Sequence, residues 1–168
     1  PVTIVNTTRR MAMLKKILLF STVLALIFVA YQLYQTGSDD PKQTSVDKIV
    51  ISDQSEQPLF DLIHHNLTAI NQKKIDDYLT TLVPTARKDS QKEIRAFLDS
   101  YTVKISLDGF RVLKKDKTHC LIETKQKTTN LGKNKYRNHI ATANHTLKKV
   151  DGKWLIASTT MINTTFLD

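Results

Sequence analysis

The chain has 168 residues with 25 Lys and Arg against 16 Asp and Glu, a formal charge of +9. Its single cysteine, Cys120, excludes an intramolecular disulfide framework, and its four glycines supply no phosphate-binding loop. The charge is uneven: residues 101–153 hold 13 basic against 4 acidic side chains, whereas residues 38–100 hold 8 against 11.

Residues 1–16 carry Arg9, Arg10, Lys15 and Lys16 and are read as a cytoplasmic tail, with Met11 or Met13 a natural start. Residues 17–34 carry no charge and, at about 1.5 Å of helical rise per residue, span about 27 Å, the hydrocarbon thickness of a bilayer. We read them as a transmembrane signal-anchor. A cleaved signal peptide is the alternative, but no small-x-small pair closes the run, Ala30 being preceded by Phe28 and Gly37 by Gln35. The bases before the run, and Asp39 and Asp40 after it, place the N-terminus in the cytoplasm and the C-terminal domain outside a cell membrane crossed once. Residues 35–56 read as a linker, within which Val46–Ile51 is ambiguous between strand and helical turn.

From residue 57 the pattern is that of one folded domain. Leu59, Leu62, Ile63, Leu67 and Ile70 recur at helical spacing with Pro58 in the first turn. Residues 74–82 repeat the pattern through Ile75, Tyr78, Leu79 and Leu82, and Pro84 is expected to stop it. A third helix is expected near Ser90, where Ser90 and Glu93 have the spacing of a capping box. After Tyr101 the period becomes two. Four strands are expected over residues 102–114, 119–129, 136–149 and 154–166, with a β-bulge at Asp108-Gly109 and a tight turn at Asp151-Gly152. The fold class is therefore α+β: a transmembrane helix, then three helices packed on a bent four-stranded antiparallel sheet.

Two segments, Ala69–Leu82 and Leu147–Ile156, together with the order of the elements, resemble the NTF2-like superfamily over about residues 59–166. That superfamily includes ketosteroid isomerases and SnoaL-type cyclases, so the chain looks like a membrane-anchored bacterial member. The resemblance implies a sheet wrapped around a cavity or its filled remnant. Isomerase-like members place a carboxylate base after the second helix. Here that place is Val83–Asp89, which lacks a strand-like acidic position, and this departure argues against isomerase or cyclase catalysis.

Strand parity places His139 and His145 on the concave side with Cys120, Thr124 and Trp154, and Tyr78, Phe97 and Tyr101 complete the candidate lining. Cys120 reads either as a small buried apolar residue or as a reactive thiol. His64, His65 and His119 have no ligand-type spacing with the others, so neither a metal nor a cofactor is expected, and no serine elbow supports nucleophilic catalysis. Leu121, Ile140 and Leu155 fall on the outer sheet face as candidate contacts for a homodimer. The basic half reads either as a solvated face or as an attraction for acidic proteins, anionic lipid or cell-wall polymer. Nucleic acid is disfavoured because no aromatics interleave with the bases.

Two functions are carried forward. One is a non-catalytic, anchored, extracytoplasmic module that binds a protein partner in a cell-envelope assembly for secretion, conjugation or the cell wall. The other is an anchored small-molecule binder or isomerase-like enzyme using the cavity. Closure of the cavity by Trp154, Phe97, Tyr101 and Phe110 favours the first, and an open cavity with a pKa-shifted His or Asp favours the second.

Overall fold

The computed structural model describes residues 49, 51 and 53–167, so the expectations for residues 1–16 and 17–34 and for most of the linker lie outside the described residues. Among the described residues no helix is long and apolar enough to cross a membrane. A 3-10 turn at Gln54–Glu56 leads into helix α1, Gln57–Asn71. Pro58 stands in its first turn, where a missing N–H costs nothing, and Leu59, Ile63, Leu67 and Ile70 are buried along one face. The helix ends in a Schellman turn: Lys73 takes the left-handed conformation (φ 56°), its N–H reaching the Ile70 carbonyl and that of Lys74 reaching Ala69. Glycine is usual there. Lys73 instead spends its ammonium on the Leu98 carbonyl at 3.0 Å, satisfying an orphan acceptor near the end of the third helix.

Helix α2 (Ile75–Thr80) is one short segment, and α3 runs from Pro84 to Ser100. The third helix thus starts six residues before the expected capping box. Pro84 is its first residue rather than merely the stop of α2, because proline's fixed φ suits a first turn. Ser90 lies inside the helix and is 2% exposed, so its spacing to Glu93 caps nothing. Between α2 and α3 the chain is stitched to the sheet: Ile156 N–H donates to Thr81 O, and Val83 N–H to Ile156 O.

The four strands, β1 Val103–Lys115, β2 His119–Asn130, β3 His139–Val150 and β4 Lys153–Phe166, form an antiparallel meander in chain order. The α+β layout of three helices and four strands is as the periodicity predicts. The bulge expected at Asp108-Gly109 is present, and a second register shift follows between Val112 and Lys114. Gly109 is needed at the first, because a Cβ there would stand 3.0 Å from that of Lys125. Asp151 (φ 49°) and Gly152 (φ 78°) make the expected tight turn. Strand β3 begins three residues later than expected, since Tyr136 lies in the connection and is buried against α3 aromatics rather than paired.

One core fills the space between helices and sheet, and among the described residues its buried members run from Leu59 to Ile156. Along β3 the alternating residues His139, Ala141, Ala143, His145 and Leu147 are all buried. The helix layer meets β1 through Asn71, whose side chain donates to Ile105 O (2.8 Å) and accepts from Ile105 N–H (2.7 Å), as a neighbouring strand would. Asn71→Ala should therefore cost about 2 kcal/mol by orphaning both groups. Urea unfolding of residues 53–168 measures it, and a change under about 0.5 kcal/mol would remove this role.

Candidate functional site

The buried set of the described residues contains no Asp, Glu, Lys or Arg, so the polar chemistry of the interior rests on His, Thr, Asn and Ser. Its centre is His145. The ring lies 2.9 Å from Thr124 Oγ1 and 3.3 Å from Gln126 Nε2 through Nε2, and 2.9 Å from Thr159 Oγ1 through Nδ1. Gln126 Nε2 also donates to Thr124 Oγ1 at 2.9 Å. An amide nitrogen can only donate, so His145 Nε2 accepts and Nδ1 carries the proton toward Thr159. Burial pushes the His145 pKa down to about 4, which keeps the ring neutral.

This arrangement holds a histidine in place but gives it little to do chemically. A general base needs reach to a substrate proton, and both ring nitrogens are already engaged by protein groups. The shifted histidine sought as a sign of catalysis is present, but its shift comes from enclosure rather than from a charged partner. Among the described residues no interior carboxylate is present to pair with it, and there is no metal-binding cluster.

The other candidates do not converge on His145. Phe97, Tyr101 and His139 form an aromatic chain with Tyr136 and Phe166 at one end of the sheet, ring centroids 4.9 to 6.2 Å apart. Arg137 closes that end with its guanidinium 4.3 Å from the Phe166 centroid. Cys120, 2% exposed, lies toward the opposite end in register with Leu147, and burial pushes its thiol up. Trp154 is half-buried toward the same end, on β4 under the Lys149 ammonium. Tyr78 belongs to the seam between α2 and α3, where burial outweighs its bond to Ser90 and pushes its phenol up to about 12. Glu93 in the same seam is raised by partial burial and by Asp89. Gln126 and Thr159, the remaining partners of His145, escaped the sequence reading. Gln126 shares parity with Thr124 and was findable; the register shift between Thr146 and Leu147 hides Thr159.

The sheet face turned away from the helices has a different character. Strand pairing places Lys104, Arg111, Lys114, Lys125, Lys127 and Lys148 on it, against two carboxylates, Glu123 and, at the bulge, Asp108, which accepts from the outer-face Ser106 hydroxyl at 2.8 Å. Arg111 holds Glu123 at 2.8 Å, which leaves the face with an excess of positive charge carried by the lysines. Between them run Thr142, Asn144 and Thr146 of β3, and the Asn144 Oδ1 has no hydrogen-bond partner. Leu121, Ile140 and Leu155 are half-buried on this face but opposite Thr146, Lys127 and Lys148, so polar and basic groups separate them. They form no continuous apolar patch, and a second copy laid on this face would bring lysines onto lysines.

Residues 61–167 match the family model described as the C-terminal domain of the anti-sigma-I factor RsgI9. No curated protein matches the chain in sequence. Among solved structures, it is similar to a Xanthomonas campestris protein assigned as a calcium/calmodulin-dependent protein kinase II association domain, at 16% identity and TM-score 0.61, covering 72% of this chain and 96% of that one. A Streptomyces avermitilis protein assigned as a dehydratase of the NTF2-like family gives 8% identity and TM-score 0.58, covering 66% and 96%. An NTF2-like protein of unknown function from Pseudomonas putida gives 10% and 0.56, covering 64% and 84%. These likenesses establish the NTF2-like fold.

Proposed function

This chain belongs to the family of the anti-sigma-I factor RsgI9 C-terminal domain, and on that premise we propose that it is a non-catalytic NTF2-like module that binds an acidic protein partner through its outer sheet face. The observation that carries the reading is the charge of that face, six basic side chains against two carboxylates, Glu123 paired with Arg111 and Asp108 bonded to Ser106. Such a face attracts an acidic surface and discriminates against basic ones. The interior supports the same reading, since His145 is closed in and neutral. The matched description, an anti-sigma factor, and that of the Xanthomonas relative, an association domain, both name proteins described by what they associate with.

The setting proposed is the outer side of a cell membrane, with residues 17–34 as a single-pass anchor, the N-terminus cytoplasmic and the partner part of a cell-envelope assembly. The uncharged run and the basic residues before it support this. A second reading, a small-molecule site in the cone, draws on the Thr124, Gln126, His145 and Thr159 cluster and on the dehydratase assignment of the Streptomyces relative.

The test is chemical crosslinking of the full chain in cells, comparing wild type with Lys125→Glu/Lys127→Glu. The double substitution should reduce partner recovery about tenfold or more, and recovery with wild type should fall as salt rises. Equal recovery from both proteins would contradict the proposal.

A further inference from the structure

The two edges of the sheet are treated unequally. Edge strand β1 is guarded: Asn71 occupies the backbone groups of Ile105, two register shifts interrupt the strand, and Lys104, Asp108, Arg111, Lys114 and Lys115 line it. Charge, bulges and covering groups are the means by which edges avoid pairing with other chains. Among the described residues, edge strand β4 is covered at its start, where Thr81 and Val83 take the backbone groups of Ile156. Beyond that, no strand among the described residues neighbours it on its outer side. Residues 154–167 contain no charge, no glycine and no proline, a composition that pairs readily. Ile162, at the second register shift of this strand, is 54% exposed.

We propose that the β4 edge, from Ser158 to Thr165, pairs antiparallel with the β4 edge of a second copy of this chain, joining two sheets into one of eight strands. The sequence of the edge is what selects a second copy. A two-fold axis placed between Met161 and Ile162 sets Thr160 against Asn163, Thr159 against Thr164, and Ser158 against Thr165 of the second copy. Each of these pairs lies on one sheet face: Ser158, Thr160, Asn163 and Thr165 pair with the outer-face residues Thr146, Asn144, Thr142 and Ile140, while Thr159 and Thr164 pair with the buried His145 and Ala141. Every pair joins short hydroxyl or amide side chains, which suit cross-strand contact. The register irregularity at Ile162 then meets its own image, so the ladder is interrupted at the same place in both strands, and the exposed Ile162 and neighbouring Met161 gather at the axis.

Charge points the same way. The basic residues of the C-terminal half stop at Lys153, so this edge is a neutral strip along which two strongly basic copies can meet without opposing lysines directly. Arg137, stacked on Phe166, is the one charge among the described residues at the far end of the strip. The edge and the basic outer face are separate surfaces, so this pairing is tested independently of the partner binding proposed above.

Sedimentation velocity of residues 53–168, which hold the buried core found among the described residues, should show a concentration-dependent dimer. Ile162→Lys should weaken it about tenfold or more by placing like charges at the axis, whereas Leu113→Lys on the guarded β1 edge and Lys125→Glu on the outer face should leave it unchanged. Thermal melting of Ile162→Lys equal to that of wild type at a concentration where both are monomeric would confirm that the fold is intact. As a second variant, Ile162→Cys should form a covalent dimer under mild oxidation, since Cys120 is buried and cannot compete; Leu113→Cys should not. A wild type that stays monomeric to about 500 µM, or a dimer that survives Ile162→Lys, would overturn the proposal.

Discussion

Lowering the pH from 6.5 to 4 is expected to remove about 3 kcal/mol of folding stability through His145 alone. The ring titrates near 6.5 in the unfolded chain and near 4 in the fold, because burial disfavours its charged form. A base whose folded pKa is depressed binds its proton more readily when unfolded. Its contribution is fully present above pH 6.5, is lost as the pH falls toward 4, and is flat below that. Protonation would also set a second donor against the Gln126 amide nitrogen, 3.3 Å away. Other shifted groups fall elsewhere or run the other way. Asp53 and Asp116, lowered by backbone hydrogen bonds, act below their ordinary value of 3.8. Glu93 is raised, so its contribution diminishes as the pH rises through its range and partly offsets that of His145. Urea unfolding across this window, repeated with His145→Gln, separates them: the substitution should lower stability at neutral pH and flatten the curve between 6.5 and 4. A wild-type curve already flat there would show that the ring is not enclosed in solution.

Leu147→Ala should destabilise the domain by about 3 to 4 kcal/mol, enough to threaten folding of a small domain. Leu147 is fully buried at the centre of the core. Leu121, in the next strand and nearly opposite in register, lies on the other face and is half-buried, so Leu121→Ala should cost under about 1 kcal/mol. The comparison tests the assignment of faces, because a shift of one residue in register would exchange the two outcomes. Equal losses from both substitutions, measured by chemical denaturation, would contradict the described register.

Much of this architecture was legible because it rests on local signals. The alternation of His139, Ala141, Ala143, His145 and Leu147 fixes the buried face of β3, and Asp151-Gly152 fixes the turn into β4. The third helix was misplaced because Pro84 stops one helix and starts another, and a serine–glutamate spacing occurs by chance inside helices. The candidate site was less legible for a related reason. Parity predicts which side of a sheet a residue faces, not where along the strands it falls; Cys120 and His139 share a face but lie toward opposite ends of the sheet. Bulges compound the difficulty, as at Thr159. The charge of the outer face was hidden by reading the lysines along the chain, where several, such as Lys117, Lys133 and Lys135, lie between strands. Only strand pairing shows Lys104, Lys125 and Lys127 side by side on one surface.

A photo-crosslinking side chain placed at Thr142, amid the basic outer face, and separately at Tyr101, at the half-buried aromatic end of the cone, tests the central claim most directly when the full chain is expressed in cells. Protein adducts from Thr142 and none from Tyr101 are the predicted result. Adducts from Tyr101 alone, or none from Thr142, would contradict the proposal that the outer sheet face is where this domain meets its partner.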